Sequence, residues 1–560
     1  MDQNIKLSSS DPSVDIGSDK TRWPIMQMPR RLGWLASVEW SVVATLSLLV
    51  IIAFGLRVTQ LSAIGFAEDE MNKLDAVRSY QRYDFSANAE HPMLMKLLMW
   101  GSIAGANAWQ TAGGQSISDE AALRLPNALF GALTVIPLFL LTAAFFDRWT
   151  GLLASAFWAV GINAIALNRI GKEDTLLVFF MLFGFFFYLR AKLASPSDTD
   201  IRNKNYVQSA ASFGLMIASK YFPHYFALNM LFHHKIHVRT AMPGEPKGKT
   251  PQWFYLLIPV FLIIANPAML LPPVWEYLNA YTGERLLVHS GYLFANHLYK
   301  NNVSSTPFWG TPIYFYALFL AIKMPLLVVT AFVTGLIVSF KRWRHVGHAF
   351  LIFMFLFWII PYSLMGAKFL RYTLSLMPFV YMLAAVGVVS LVRLATSQFN
   401  GMRNAPAIIS LAAVVIFVGV PGWIAFASGP HYSLYTNALA SDKAGYFFPH
   451  DELYDDGLRE AISFVCESAP QGAVIAHETP AVAHYYLEQF GRNDLNSRPV
   501  SAADFDPSAL SEPAYVMMQP GRTYFENQAK LSFIRSNFKK IHEIQINGAT
   551  AAEIFSNQRY

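Results

Sequence analysis

Long apolar runs separated by short polar segments dominate the chain. Runs near 37–57, 122–146, 150–168, 173–193, 206–221, 223–235, 253–272, 312–340, 349–366, 370–393 and 406–427 predict eleven membrane spans. The first run follows a polar stretch holding Lys20, Arg22, Arg30 and Arg31, and it is too long for a cleaved signal peptide. Basic clusters recur in alternate connections: RRLGW, RAKLASPSDTDIRNK, HHKIHVRTAMPGEPKGK, KRWRH and RLATSQFNGMR. Lys and Arg favour the cytoplasmic side, so the N-terminus reads as inside and, with an odd number of spans, the C-terminus as outside. The expected organisation is a cytoplasmic tail (1–36), a transmembrane domain (37–428) with a large first external loop (58–121), and an extracytoplasmic domain (429–560).

Composition agrees with the pattern. Hydrophobic residues make up 54% and charged residues 14%, against about a quarter charged in soluble domains. The fold class is a polytopic α-helical membrane protein. A net charge of +6 without a dense basic patch reads as topology signal, with no nucleic-acid partner. The single cysteine, Cys466, excludes an intrachain disulfide and a Cys-rich metal site.

The first external loop is unexpectedly charged. In FAEDEMNKLDAVRSYQRYDF, Met71, Leu74, Val77 and Tyr80 recur at helical spacing, with Asp69 and Glu70 at the helix start. A second helix is expected from Pro92 through Leu94, Leu97 and Leu98. The plain alternative for the two acids is capping and dipole complementation.

Further charges sit at the outer ends of spans. They are Arg169, Lys172, Glu173 and Asp174 in LNRIGKEDTLLVFF, Lys220 and His224 in IASKYFPHY, and Lys368 and Arg371 in MGAKFLRYTL; Lys323 lies inside a span. For each basic residue the plain alternative is snorkelling to the interface. Acids and bases gathered at one membrane face, without a P-loop or nucleotide fingerprint, suit a lipid-phosphate donor. Cations would hold its phosphate, and a carboxylate or His would deprotonate an acceptor hydroxyl.

These residues resemble the protein O-mannosyltransferase family. Asp69-Glu70 and EHPMLMKLL resemble its DE and HPPLGKLL motifs: His91, Pro92, Leu94 and Lys96 match, whereas Met93 and Met95 replace a Pro and the Gly. LRLPNALFGALTVIPLFLL resembles its second span. NRIGKEDTLLVFF resembles its SRxxLLDxxLxFF junction with Arg169 and Asp174 in place, although Lys172 and Glu173 replace apolar residues. ASKYFPHY keeps Lys220 of a KxxG stretch, AIKMPLL resembles KTPL at Lys323, and GPHYSLYTNALA with YDDGLREAISFV resembles the tail of bacterial relatives. The resemblance covers most of 37–470.

It implies a C-type glycosyltransferase that moves a sugar, typically mannose, with inversion, from a polyprenyl-phosphate donor to an acceptor hydroxyl. Protein Ser/Thr is the favoured acceptor; a glycan or lipid such as lipid A, the acceptor of the related aminoarabinose transferases, is the alternative. Loop 273–311 has no room for the β-trefoil insert of eukaryotic members, which points to a bacterial-type protein in the plasma (inner) membrane. Asp69 is expected as general base, with Glu70 orienting donor or acceptor and Asp174 as a further catalytic acid. Lys220 and Arg371 are expected to hold the donor phosphate, supported by Arg169, Lys323 and Lys368, with His91 and Lys96 of the HP motif on substrate. In relatives, acids matching Asp69 and Asp174 bind a divalent metal. A weak site for magnesium, manganese or zinc is therefore expected here, with neutralisation of Asp174 by Arg169 and Lys172 as its alternative.

After residue 428 helices and strands alternate, predicting a small α/β domain: helices at LREAISFVCESA, TPAVAHYYLEQFG and near 523–537, and strands at GAVIAHE, AYVMMQ, KIHEIQI and TAAEIFS. No catalytic constellation is evident in it, and a lid or an acceptor-docking module is its expected role. A transporter or flippase is the competing class; inverted hydropathy repeats would mark it, and none is evident.

Overall fold

The computed structural model describes residues 39–195, 197–237, 249–282, 291–300, 312–399, 404–441 and 443–558. The N-terminal tail 1–36 and parts of the basic segments after 237 and 399 lie outside the described residues. Among the described residues, six helices are long and apolar enough to cross a membrane: Trp40–Val58, Asp119–Phe145, Asp174–Leu193, Val346–Leu364, Met377–Gln398 and Ala405–Ser428. Arg148–Val160 and Ile162–Asn168 make a seventh if the pair, bent by 56°, counts as one span. The sequence pattern suggested eleven. The difference lies in shorter or more polar helices. Gln252–Ala265 and Leu326–Lys341 are apolar but short, and the expected pair at 206–221 and 223–235 is the helix Thr199–Ser219, with a polar first half, followed by the brief His224–Leu231.

The helical body packs around aromatic and aliphatic side chains, among them Phe157, Trp158, Tyr188, Phe213, Phe350, Trp358 and Phe379. Two of its helices approach closely through glycine. A Cβ on Gly335 would lie 1.7 Å from the Leu383 carbonyl oxygen, and one on Gly387 2.0 Å from that of Ala331. Such small-residue contacts are how apolar helices associate where lipid removes the hydrophobic drive.

The first-loop helices form at Glu68–Tyr80 and Met93–Thr111, the second longer than its first turns suggested. Met71, Leu74, Val77 and Tyr80 are all buried. Most of this stripe joins Phe66, Met95 and Leu123 in one apolar cluster with Leu458, Ile462, Val482 and Tyr486 of the C-terminal region. Burial contributes roughly 1.5–3 kcal/mol per large apolar side chain, so this shared core ties the C-terminal domain to the first loop.

The C-terminal domain is a small α/β unit. An isolated hairpin, β1 (Gly291–Phe294) and β2 (His297–Lys300), precedes it in the chain. Its sheet holds β3 (Val474–His477), β4 (Asn496–Pro499), β5 (Ala514–Met518), β6 (Lys539–Ile546) and β7 (Ala549–Ser556) in the order β4-β3-β5-β7-β6. β3 runs parallel to β4 and β5, whereas β7 is antiparallel to β5 and β6. Helices Leu458–Ser468, Pro480–Gln489 and Gln528–Asn537 accompany it. The sequence marked every strand of this sheet except β4, whose NSRP carries no apolar alternation, and it did not mark the β1–β2 hairpin.

By its contacts the chain divides after Val43, and the residues of the site described below all lie in the unit from Ala44 onward.

Candidate active site

Topology brings the charged segments to one end of the helices. Asp174 opens the span Asp174–Leu193, and Lys220 terminates the next helix, Thr199–Ser219. Consecutive antiparallel helices place the start of one beside the end of the other. Arg371 sits in the 3-10 turn Leu370–Ser375 just before the span Met377–Gln398. The first-loop helix lies over these termini.

The two adjacent acids of that helix have different surroundings. Glu70 is saturated. It accepts from Arg124 Nε at 2.7 Å and Nη2 at 2.5 Å, from the Gly171 amide at 2.7 Å and from the Ala67 amide at 3.1 Å, and it is 1% exposed. Arg124 also donates to the carbonyls of Leu61, Ile64 and Gly65. Glu70 thus fastens the helix start to the junction before Asp174, and both of its carboxylate oxygens are already taken up as acceptors. Asp69 keeps 28% of its side chain exposed. Its Oδ2 lies 2.8 Å from Lys172 Nζ and accepts from Arg371 Nη1 at 2.7 Å and the Tyr454 hydroxyl at 2.6 Å. Burial pushes the Asp69 carboxyl up, but Lys172, Arg371 and Lys73 outweigh it and hold it well below the usual carboxylate range.

A second ion pair adjoins the first. Lys220 Nζ donates to Asp174 Oδ1 at 2.7 Å, while Asp174 Oδ2 is buried without a hydrogen-bond partner among the described residues. Tyr372 links the pairs: its ring lies 5.2 Å from Lys220 Nζ and 5.8 Å from the Arg371 guanidinium, which also stacks over Phe369 at 4.5 Å. Behind them Lys73 pairs with Glu173 at 2.9 Å, and His91 Nδ1 stands 3.8 Å from the same carboxylate. Burial lowers the His91 imidazole well below its ordinary value, and Glu173 opposes that shift without overcoming it.

The remaining sequence-derived cations stand outside this cluster, with backbone carbonyls as their main acceptors. Lys96 donates to Ala87, Asn88 and His91 at 3.2, 2.7 and 2.9 Å, fixing the loop before its own helix. Arg169 binds the carbonyls of Arg57, Thr59 and Gln60 at the end of the span Trp40–Val58. Lys368 closes the C-terminal end of Val346–Leu364 on Tyr362, Ser363 and Met365. Lys323 meets the Ser433 carbonyl at 2.6 Å and Glu452 at 3.0 Å. Buried carbonyls need such donors, and these four side chains supply them.

Sequence reasoning missed the Lys172–Asp69 pair, the Arg124–Glu70 clasp, the Lys73–Glu173 pair and Tyr454. Lys172 and Glu173 were visible as departures from apolar family positions, and Arg124 as a charge at a span's start. Nothing in the sequence marked Tyr454.

A divalent ion at Asp69 and Asp174 does not fit the donor set. Each carboxylate already faces ammonium or guanidinium groups, and no cluster of three or more His, Cys, Asp or Glu side chains able to hold a metal occurs among the described residues. Hard cations take several oxygen ligands. Arg169 does not neutralise Asp174, and Lys172 pairs with Asp69; Lys220 is the partner of Asp174.

Residues 106–270 match the family model of dolichyl-phosphate-mannose-protein mannosyltransferase. No curated protein sequence matches the chain. Among solved structures, ArnT from Cupriavidus metallidurans bound to undecaprenyl phosphate is similar at 13% identity, over 94% of this chain and 98% of its own, with a TM-score of 0.46. The Archaeoglobus fulgidus oligosaccharyltransferase in the apo form is similar at 11% identity, over 87% and 70%, with a TM-score of 0.49. The S. cerevisiae protein O-mannosyltransferase Pmt1-Pmt2 complex bound to the sugar donor is similar at 19% identity, over 46% and 37%, with a TM-score of 0.31. The chain is a multi-pass membrane protein, and its residues 106–270 match the mannosyltransferase family whose motifs its first loop and span junctions resemble.

Proposed function

We propose that the protein is an inverting, membrane-embedded glycosyltransferase. In this reading it moves a sugar, mannose first among candidates, from a polyprenyl-phosphate donor to a protein Ser/Thr hydroxyl. The reaction takes place on the extracytoplasmic face of a bacterial inner membrane, with the N-terminus cytoplasmic. The catalytic body is 37–428, and 429–560 is the extracytoplasmic domain. The observation that carries the reading is the partly exposed Asp69 carboxylate set against Lys172 and Arg371, beside the Asp174–Lys220 pair. The match of 106–270 to a family named for a dolichyl-phosphate-mannose donor supports it.

The chemistry follows from sharing cations. Lys172, Arg371 and Lys220 are charge-assisted donors suited to a phosphate. When a donor phosphate takes part of their hydrogen bonding, Asp69 loses the partners that hold its proton affinity down, and its basicity rises. Asp69 then accepts the proton of the acceptor hydroxyl as the hydroxyl oxygen attacks the anomeric carbon. The bond from that carbon to the phosphate oxygen breaks with its electron pair, and polyprenyl phosphate leaves. Attack opposite the leaving group inverts the anomeric centre. The three cations stabilise the charge gathering on the leaving phosphate.

The test is transfer by the purified full chain. It is offered a panel of polyprenyl-phosphate sugars, and candidate acceptors are read by mass spectrometry. Hexose on Ser or Thr supports the reading; sugar found solely on glycan or lipid would overturn the acceptor, and no transfer from any donor would overturn the activity.

A further inference from the structure

The C-terminal domain reaches into the site through one residue whose backbone is held out of its preferred conformation. Tyr454 caps the short helix Pro449–Leu453 with φ 46° and ψ 50°, and Asp455 follows at φ 65°. Consecutive non-glycine residues in the left-handed region are costly, above all for an aromatic side chain. Gly457, at φ 83°, completes the turn where a Cβ would strike Ala551 at 2.6 Å.

Several contacts hold this turn against the first loop. The Tyr454 hydroxyl donates to Asp69 Oδ2 at 2.6 Å. Asp455 Oδ2 accepts from the Glu68 amide at 3.0 Å. Arg522, from the loop after β5, grips Asp455 and reaches Glu68 Oε2 at 2.7 Å. Asp451, from the same short helix, accepts from the Leu370 amide at 3.0 Å, next to Arg371. The domain therefore touches both the chain bearing the carboxylate and the chain bearing its cation. Left-handed backbone at Tyr454 aims the phenol inward, and the Arg522–Asp455–Glu68 contacts keep the turn seated on the helix start.

We infer that the C-terminal domain is part of the active site, with Tyr454 a positioning residue that orients the Asp69 carboxylate and the strained 454–457 turn its mount. The positioning role rests on the reading of Asp69 as general base; the clamp on the first-loop helix does not.

Tyr454→Phe in the full chain keeps the ring and removes the hydroxyl. With a polyprenyl-phosphate mannose donor, kcat should fall about tenfold, the scale of one lost hydrogen bond to a charged group, while donor KM stays within about twofold. That hydroxyl favours the charged form of Asp69, so its removal should move the acid limb of the kcat profile to higher pH, a shift that a role in folding alone would not produce. Wild-type kcat and an unmoved limb would overturn the positioning role. Arg522→Gln, read by amide hydrogen exchange, tests the clamp without any turnover. Faster exchange over residues 66–74 with unchanged exchange in β3 supports it, and wild-type exchange over 66–74 overturns it. Should the wild-type chain transfer no sugar at all, the activity reading falls, and the exchange result still decides the clamp.

Discussion

Lys172 stands two residues before Asp174 in the chain, yet its ammonium lies 2.8 Å from Asp69 of the first loop. Asp174 takes Lys220 instead. The junction thus sends its cation across to the loop acid and receives another from the following helix. Each acid of the site is neutralised by a residue distant in sequence, and a donor phosphate entering between the pairs would meet cations from three separate elements.

The two neighbouring acids should separate cleanly in their effects. Glu70→Ala strands the buried Arg124 without its carboxylate, and breaking a buried pair costs about 3–5 kcal/mol. Thermal unfolding in detergent should show a large drop in Tm for Glu70→Ala. A Tm equal to wild type would mean that the Arg124 clasp does not hold the loop.

The cations should separate in the same way. If Lys220 holds the donor phosphate, Lys220→Ala should weaken donor binding roughly ten- to hundredfold, from about 1.5–3 kcal/mol for a hydrogen bond to a charged group. Lys96→Ala and Lys368→Ala leave three carbonyls each without their ammonium. Those variants should lose Tm and keep donor affinity within about twofold of wild type. Titration with a polyprenyl-phosphate sugar measures both; the reverse pattern would move the phosphate away from Lys220.

Asp451 supplies a pH signature. Burial pushes its carboxyl from 3.8 up to about 7, against the lowering effect of Arg371 and the Leu370 amide. A carboxyl raised on folding stabilises the fold fully below its unfolded value and loses that contribution as pH climbs through the folded one. Asp451→Asn keeps an acceptor for the Leu370 amide and cannot ionise. Its Tm advantage over wild type should therefore grow from about pH 4 to about pH 7 and then level off. A pH-independent difference in Tm would contradict the buried environment of Asp451.

Metal removal should be silent. Because ammonium and guanidinium groups already face Asp69 and Asp174, EDTA is expected to leave turnover unchanged. Loss of activity restored by magnesium, manganese or zinc would show that the cations yield their carboxylates to a metal.

Much of this arrangement was legible in the sequence because membrane insertion makes charge expensive. Asp69, Asp174, Lys220 and Arg371 stood out as ionisable residues at apolar boundaries, and the structure places them in one cluster. The same logic could not tell a cation paired with a carboxylate from one held by backbone carbonyls. Lys96, Arg169 and Lys368 have the same sequence signature as Lys220, but their acceptors are carbonyls, and that depends on where the chain turns. Tyr454 was invisible for another reason: its contact with Asp69 joins residues 385 positions apart, through a left-handed turn that YDDG hints at only by its glycine. Breaks within the apolar runs were the least legible feature, since hydropathy does not reveal where a helix bends, as at Gly161, or ends early.

Asp69→Asn, measured for donor binding and for single-turnover transfer on the same preparation, decides the role of this carboxylate. If Asp69 is the base and shares Lys172 and Arg371 with the donor phosphate, the variant should bind the polyprenyl-phosphate sugar at least as tightly as wild type. Its transfer should slow by about a hundredfold or more, the lower range for general-base catalysis. Transfer near the wild-type rate would rule out Asp69 as the base, and weakened donor binding would rule out its sharing of Lys172 and Arg371 with the phosphate.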